Sequence, residues 1–241
     1  MTVPRLFVAN GLDAGAEIAL EAAQCHYLLH VLRLSQGSQV LAFDGRNGEW
    51  RAEIVKAKKA SCCIRAMVKV REQTKPQDIH YAFAPLKQAR LDYMVQKAAE
   101  MGASLLQPVM TAHTIVSRLN PMRMRANAIE AAEQCGILTV PGIDPPVKLE
   151  SLLEACEQSR VFIFCDERAE KTPPLEAIGK LEGRKVTALV GPEGGFSEGE
   201  RELLLSKNNV CAVSLGPRIM RADTAAVAIL ALINAVLGDW R

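Results

Sequence analysis

The chain has 241 residues, 49% of them hydrophobic and 23% charged, with a formal net charge of +2 at neutral pH. That length holds one or two domains and a sizeable core, and the near balance of charge excludes a surface built throughout to hold polyanions. The balance is uneven, however: residues 1–75 carry 11 Lys+Arg against 7 Asp+Glu, whereas residues 76–241 carry 18 against 20.

In chain order, MTVPRLFVANGL lacks the long apolar core of a signal peptide. EAAQCHYLLHVLR (21–33) has helical spacing in a short piece. Within it His26 and His30 stand four apart, a two-ligand spacing with no third ligand nearby, so no metal is expected. SQVLAF alternates apolar and polar residues. DGRNG (44–48) puts Asp-Gly and Asn-Gly into one turn, a strong hairpin signal, and WRAEIVKA and SCCIRAMVKV follow as strands. The first 70 residues therefore predict a small β-barrel or sheet carrying one helix. REQTKPQD (71–78) is polar, contains proline and is the best linker candidate.

After it the pattern changes. IHYAFA (79–84) reads as a strand. In ARLDYMVQKAAEMG, Leu91, Met94, Val95, Ala98 and Met101 repeat at helical spacing up to a Gly102 stop. SLLQPVM, VFIFC, KVTALV (185–190) and CAVSL (211–215) read as strands. RMRANAIEAAEQCG and SLLEACEQ read as helices, and Ser197 with Glu200 forms a capping box for SEGERELLLS. The closing run TAAVAILALINAVL has 14 residues, too few to span a bilayer, and predicts a buried helix and no membrane partner. Alternating strands and helices predict a mostly parallel α/β sheet from about residue 76. The seven cysteines form no C-x-x-C and read as reduced core residues of a cytosolic protein.

Two loops carry the chemistry. GPEGG follows a buried strand and precedes a capped helix, so backbone amides and carbonyls can approach a ligand there. GPRIMRADT stands after the next strand. Ligands gather at the carboxyl ends of strands in open α/β sheets, so the two loops form one pocket if their strands are neighbours, as sequential strands usually are. Neither the phosphate-binding G-x-x-x-x-G-K-[ST] nor the dinucleotide G-x-G-x-x-G is present. Glu193 suits a neutral or cationic cofactor better than a triphosphate. GPEGG alone also reads as a tight turn, and Asp223 as the N-cap of the last helix.

LVGPEGGFSEGE (189–200) with LGPRIMRADTA (215–225) closely resembles the ribosomal RNA uridine-N3 methyltransferases of the RsmE type, in the SPOUT superfamily. PRLF (4–7), HYLLHVLR (26–33), FDGRNGEW (43–50), Lys87, Arg90, QKAAEMG (96–102) and EAAEQCG (130–136) extend the match along nearly the whole chain. The resemblance implies a PUA-like β-barrel over residues 1–73 that holds RNA. It implies an α/β SPOUT domain over 74–241 with a deep trefoil knot that binds S-adenosylmethionine, in a cytoplasmic homodimer acting on 16S ribosomal RNA or the small ribosomal subunit. The sequence departs from the family in three places. Ala222-Asp223-Thr224 stands for the usual Thr-Glu-Thr, Ile137 for a common arginine, and Met220 for a common leucine.

Carried onto this chain, the resemblance makes Arg221 and Asp223 the catalytic residues. Leu189, Gly191, Glu193, Gly195, Leu215, Gly216, Ile219 and Met220 become the cofactor contacts. Arg5, Arg33, Lys87, Arg90, Lys97 and Arg218 become candidates for RNA phosphates, although Lys97 has Glu100 within reach on its helix. A SPOUT enzyme acting on ribose 2′-O or tRNA, and an RNA-binding assembly factor without chemistry, are the alternatives.

Overall fold

The computed structural model describes residues 3–9, 11–58, 61–116, 118–169 and 173–241, and no helix among them is long and apolar enough to cross a membrane. Two compact units emerge, Met1–Lys75 with Ala132–Val140, and Pro76–Ala131 with Pro141–Arg241.

The first unit contains two strands too short for periodicity to reveal, β1 (Arg5–Phe7) and β2 (Glu17–Ala19). Its helical piece is shorter than the sequence spacing implies: α1 (Ala22–His26) widens into a π-turn over Tyr27–Val31. The long strands are β3 (Gln39–Phe43), β4 (Glu49–Lys58) and β5 (Ser61–Arg71), and the sheet order is β1-β3-β4-β5-β2. Trp50, Ala52 and Ile54 of β4 and Cys62, Ile64 and Ala66 of β5 point to one buried face, the two-residue period expected of a half-buried sheet. DGRNG closes the β3–β4 hairpin. Asp44 organises this turn by accepting the backbone N–H groups of Leu12, Arg46 and Asn47. Burial acts to raise its carboxyl pKa, but these hydrogen bonds outweigh it and hold the group below the usual carboxylate range.

Arg5 lies inside this unit. Its Nε meets Glu49 at 2.6 Å, and its terminal nitrogens donate to the carbonyls of Ala132 (2.6 Å), Glu133 (2.8 Å) and Ile137 (3.1 Å). The guanidinium also sits 4.7 Å from the Phe43 ring centroid. Four of its five N–H donors are thus committed to internal acceptors, which removes Arg5 from the candidates for RNA phosphate. Ile137 packs against the small cluster of Phe43, Ala132 and Leu138.

The second unit runs β6 (Ile79–Phe83), α2 (Gln88–Glu100), β7 (Leu105–Met110), α3 (Pro121–Gln134), β8 (Gly142–Ile143), β9 (Val147–Lys148), α4 (Leu149–Ala155), β10 (Arg160–Cys165), α5 (Pro174–Gly179), β11 (Lys185–Val190), α6 (Glu198–Leu205), β12 (Val210–Val213) and α7 (Ala222–Val236). The strand order is β12-β10-β11-β6-β7-β8, with β9 also on β7, and every pair is parallel. Leu91, Met94, Val95 and Ala98 form the buried face of α2, as their spacing predicts, while Met101 falls just past its end and is half-buried. Helix α7 buries Ala225, Ala226, Ile229, Leu230 and Ile233. Buried Asn234 is satisfied by the carbonyls of Met101 (2.7 Å) and Leu230 (2.9 Å) and by the Gln77 amide.

One expectation about the sheet fails. β11 and β12 are not neighbours, because β10 lies between them and pairs with both. Parallel strands joined through helices are free to skip a place, so sequence adjacency does not dictate sheet adjacency. The cysteines also divide: Cys25 and Cys62 are buried, Cys135 is exposed, the other four are intermediate, and none is disulfide-bonded.

Candidate active site

Because all strands of the second unit run the same way, the loops after β10, β11 and β12 leave one rim of the sheet. They enclose a cavity of about 530 Å³. Both glycine-bearing loops line it. Gly191, Glu193 and Gly195 come from the loop after β11, and Leu215, Gly216, Arg218, Ile219 and Met220 from the loop after β12. Leu189 does not line the cavity; its side chain is buried in the core beneath, and the contact expected there is with its backbone.

The loop after β11 is held from several sides. The Ser197 hydroxyl accepts the Glu200 N–H, and the Glu200 carboxylate accepts the Ser197 N–H at 2.8 Å, which is the expected capping box. Phe196 turns back over Gly191, where a Cβ would stand 2.7 Å from the ring, so only glycine fits under it. The Phe196 ring in turn meets Phe164 edge-on, with centroids 5.1 Å apart. Glu193 pairs with Arg90 of α2 at 2.8 Å, which joins a predicted cofactor contact to a predicted RNA contact. In the loop after β12, Gly216 has φ +113°, a conformation that other residues resist, and nothing lies within 4 Å of where its side chain would be.

Arg221 and Asp223 flank the cavity rather than line it; Met220, Ala222 and Ala225 beside them do line it. Arg221 is the N-cap residue of α7, so the expectation that Asp223 caps this helix is corrected. Asp223 sits in the first turn, half-buried, and accepts the Thr224 N–H at 2.9 Å. The side chains of Arg218 and Arg221 are exposed and have no hydrogen-bond or ion-pair partner among the described residues. The same holds for Arg33 and Lys87, whereas Lys97 pairs with Glu100 at 2.7 Å.

The third loop, after β10, escaped sequence reading. Asp166 is 5% exposed, and its carboxylate accepts the Arg168 N–H (3.0 Å) and Arg201 Nε–H (2.9 Å). Glu167 and Arg168 reach the cavity beside it. The signal was present: VFIFC is a buried strand followed at once by three charged residues, as the other two loops follow theirs. His113, from the loop after β7, also lines the cavity.

Chemically the pocket offers backbone polar groups, apolar walls from Phe164, Val190, Val213 and Ile219, and cations at the rim. It holds no ready nucleophile. Cys165 reaches the cavity, but burial pushes its thiol up to about 12. Among the described residues no group of three or more His, Cys, Asp or Glu could hold a metal ion.

Comparison with known proteins shows the family. A family model described as RNA methyltransferase domain matches residues 73–234, and one described as RNA methyltransferase PUA domain matches residues 20–66. Ribosomal RNA small subunit methyltransferase E of a Synechocystis species is 32% identical, over 97% of this chain and 78% of the relative. The protein of the same name from Rickettsia conorii is 29% identical, over 97% and 96%. A Legionella pneumophila structure described with the bound cofactor SAM is 28% identical, with a TM-score of 0.85 and coverage of 98% of each chain. The fold also matches ribosomal RNA small subunit methyltransferase E from Neisseria gonorrhoeae, at a TM-score of 0.87, 24% identity and full coverage of both chains. With a match over most of its length and a pocket of this construction, the chain belongs to the RNA methyltransferase family, with a PUA-like unit of strands ahead of a parallel α/β methyltransferase domain.

Proposed function

We propose that this protein methylates N3 of a specific uridine in 16S ribosomal RNA, using S-adenosylmethionine. The observation that carries the reading is one cavity bounded by both glycine-bearing loops, beside which Arg218 and Arg221 have no partner among the described residues. The pocket suits the cofactor: open space at Gly195 and Gly216 admits a ligand against the backbone, and Ile219, Met220 and Phe164 give an adenine ring apolar walls. When bound, the cofactor supplies an electrophilic methyl group on a positively charged sulfur.

Uridine N3 carries a proton and is a poor nucleophile at neutral pH. Arg221 hydrogen-bonds a uracil carbonyl and stabilises the negative charge that grows as this proton leaves. Asp223 accepts the proton, directly or through one water. N3 is hidden in a base pair, so the target nucleotide is presented unpaired. Arg33 on the first unit, and Lys87, Arg90, Lys97 and Arg218 on the second, contribute phosphate contacts; Arg90 does so by exchanging Glu193 for phosphate. The deep trefoil knot, the cytoplasmic location and the homodimer belong to the same reading. Half-exposed Val227, Ala228, Ala231 and Leu232 on α7 support the last of these.

The test is mass spectrometry of digested 16S RNA from cells lacking the gene, after incubation with cofactor and either the purified protein or Asp223→Asn. The wild-type protein is expected to add one N3-methyluridine, and the variant to work about 10²-fold or more slowly. Asparagine at the normal rate removes the base role from Asp223. A 2′-O-methylated product replaces the N3 assignment, and no product at all favours the assembly-factor reading.

A further inference from the structure

We infer that His113 is a positioning residue for the methyl-donor site, acting through the backbone of the loop after β11; this rests on the cofactor reading above. The loop Thr111–Thr114 is closed by hydrogen bonds that do not involve the histidine. The Thr114 N–H donates to the Thr111 carbonyl at 3.0 Å, the Thr111 N–H to Thr114 Oγ1 at 3.0 Å, and the two hydroxyls meet at 2.8 Å. The turn is then tied to α6, because the Ala112 N–H donates to Glu200 Oε1 at 2.8 Å. Glu200 therefore serves two purposes, one oxygen closing the capping box and the other holding a turn from across the sheet.

His113 completes this clamp. Its Nδ1 lies 3.0 Å from the Gly194 carbonyl oxygen and 3.1 Å from that of Gly195. Carbonyl oxygens only accept, so Nδ1 carries the proton and shares it between them. Gly194 presents its bare face to the histidine: a Cβ there would stand 3.3 Å from His113 Cβ, closer than ordinary packing. Two successive peptide planes of the cofactor loop are thereby fixed by one side chain. Without this donor the Gly-Gly segment gains conformational freedom that cofactor binding must remove, and affinity falls while the chemistry downstream does not.

Calorimetric titration with S-adenosylhomocysteine, alongside steady-state turnover, tests this. His113→Ala is expected to bind about tenfold more weakly, with turnover at saturating cofactor within about twofold of wild type. His113→Asn can place an amide N–H where Nδ1–H stands, and is expected to recover affinity to within about threefold, whereas His113→Gln, which extends toward the Nε2 position, is not. Thermal melting of the asparagine variant at the wild-type temperature separates lost folding from lost positioning. Unchanged affinity in the alanine variant overturns the inference, as does rescue by glutamine but not asparagine, or a loss confined to turnover. If the wild-type protein itself shows no binding, the cofactor reading fails and takes this inference with it.

Discussion

Replacing Arg221 by alanine is expected to slow methyl transfer by about 10²–10³-fold, while affinity for S-adenosylhomocysteine stays within about threefold of wild type. The asymmetry follows from where the residue stands. Arg221 caps α7 only through its backbone, whose carbonyl accepts the Ala225 N–H at 2.8 Å, and its side chain makes no cap hydrogen bond. Alanine therefore leaves the helix start and the neighbouring cavity wall largely in place. What it removes is a permanent cation with no partner among the described residues, beside a pocket read as holding the methyl donor. A guanidinium left unpaired in the free protein is available to stabilise charge that appears only as the base loses its proton, which places its effect in turnover rather than in binding. Arg221→Lys should recover only part of the rate, because one ammonium cannot reproduce the planar fork. Single-turnover kinetics at saturating cofactor, paired with calorimetry, check the split. A loss of affinity with unchanged turnover would move Arg221 from the chemistry to the binding of the donor.

Arg5→Ala is expected to destabilise the first unit by about 3–5 kcal/mol, the range for removing one partner of a buried ion pair. Glu49 is 3% exposed and, among the described residues, would keep only the more distant Arg71, at 3.6 Å, to offset its charge. Three carbonyls, of Ala132, Glu133 and Ile137, would lose a charged donor in the same step. Two of these belong to the last turn of α3, whose carbonyls have no intrahelical partner, so the arginine also answers the negative end of that helix. Arg5→Lys should fail to rescue, since an ammonium cannot span this fan of acceptors. Urea unfolding measures the effect as a lower midpoint. A residue that merely met RNA phosphate would behave otherwise, with unchanged stability and a shallower salt dependence of RNA binding. That pattern would return Arg5 to the interface.

The two arginines also mark how far sequence reading reaches. Both precede or follow an apolar stretch, and nothing local distinguishes them. Arg5 is consumed by acceptors more than 120 residues away, whereas Arg221 has none among the described residues, and only the fold decides between these fates. Features fixed within a few residues were legible. The β4–β5 alternation, the α2 stripe, the Asp44 turn and the Ser197–Glu200 box all lie within one element or one turn. The three-residue β1 and β2 carry too few positions for a period to appear. Strand order was illegible for a different reason: placing β10 between β11 and β12 is a choice of crossover, made by packing and not by spacing. That misplacement hid the loop of Asp166, Glu167 and Arg168 from the expected site. His113 was hidden because a lone histidine in a polar loop gives no sign of the glycine carbonyls it meets.

The cavity at the ends of β10, β11 and β12 is the proposed methyl-donor site. Its most direct measurement is the crystal structure of the protein grown with saturating S-adenosylhomocysteine. The expected result is ligand density between the Gly191–Gly195 and Leu215–Met220 loops, with the sulfur on the side of Arg221 and Asp223. Density bound elsewhere on the molecule, or none in this cavity at saturating ligand, would contradict it.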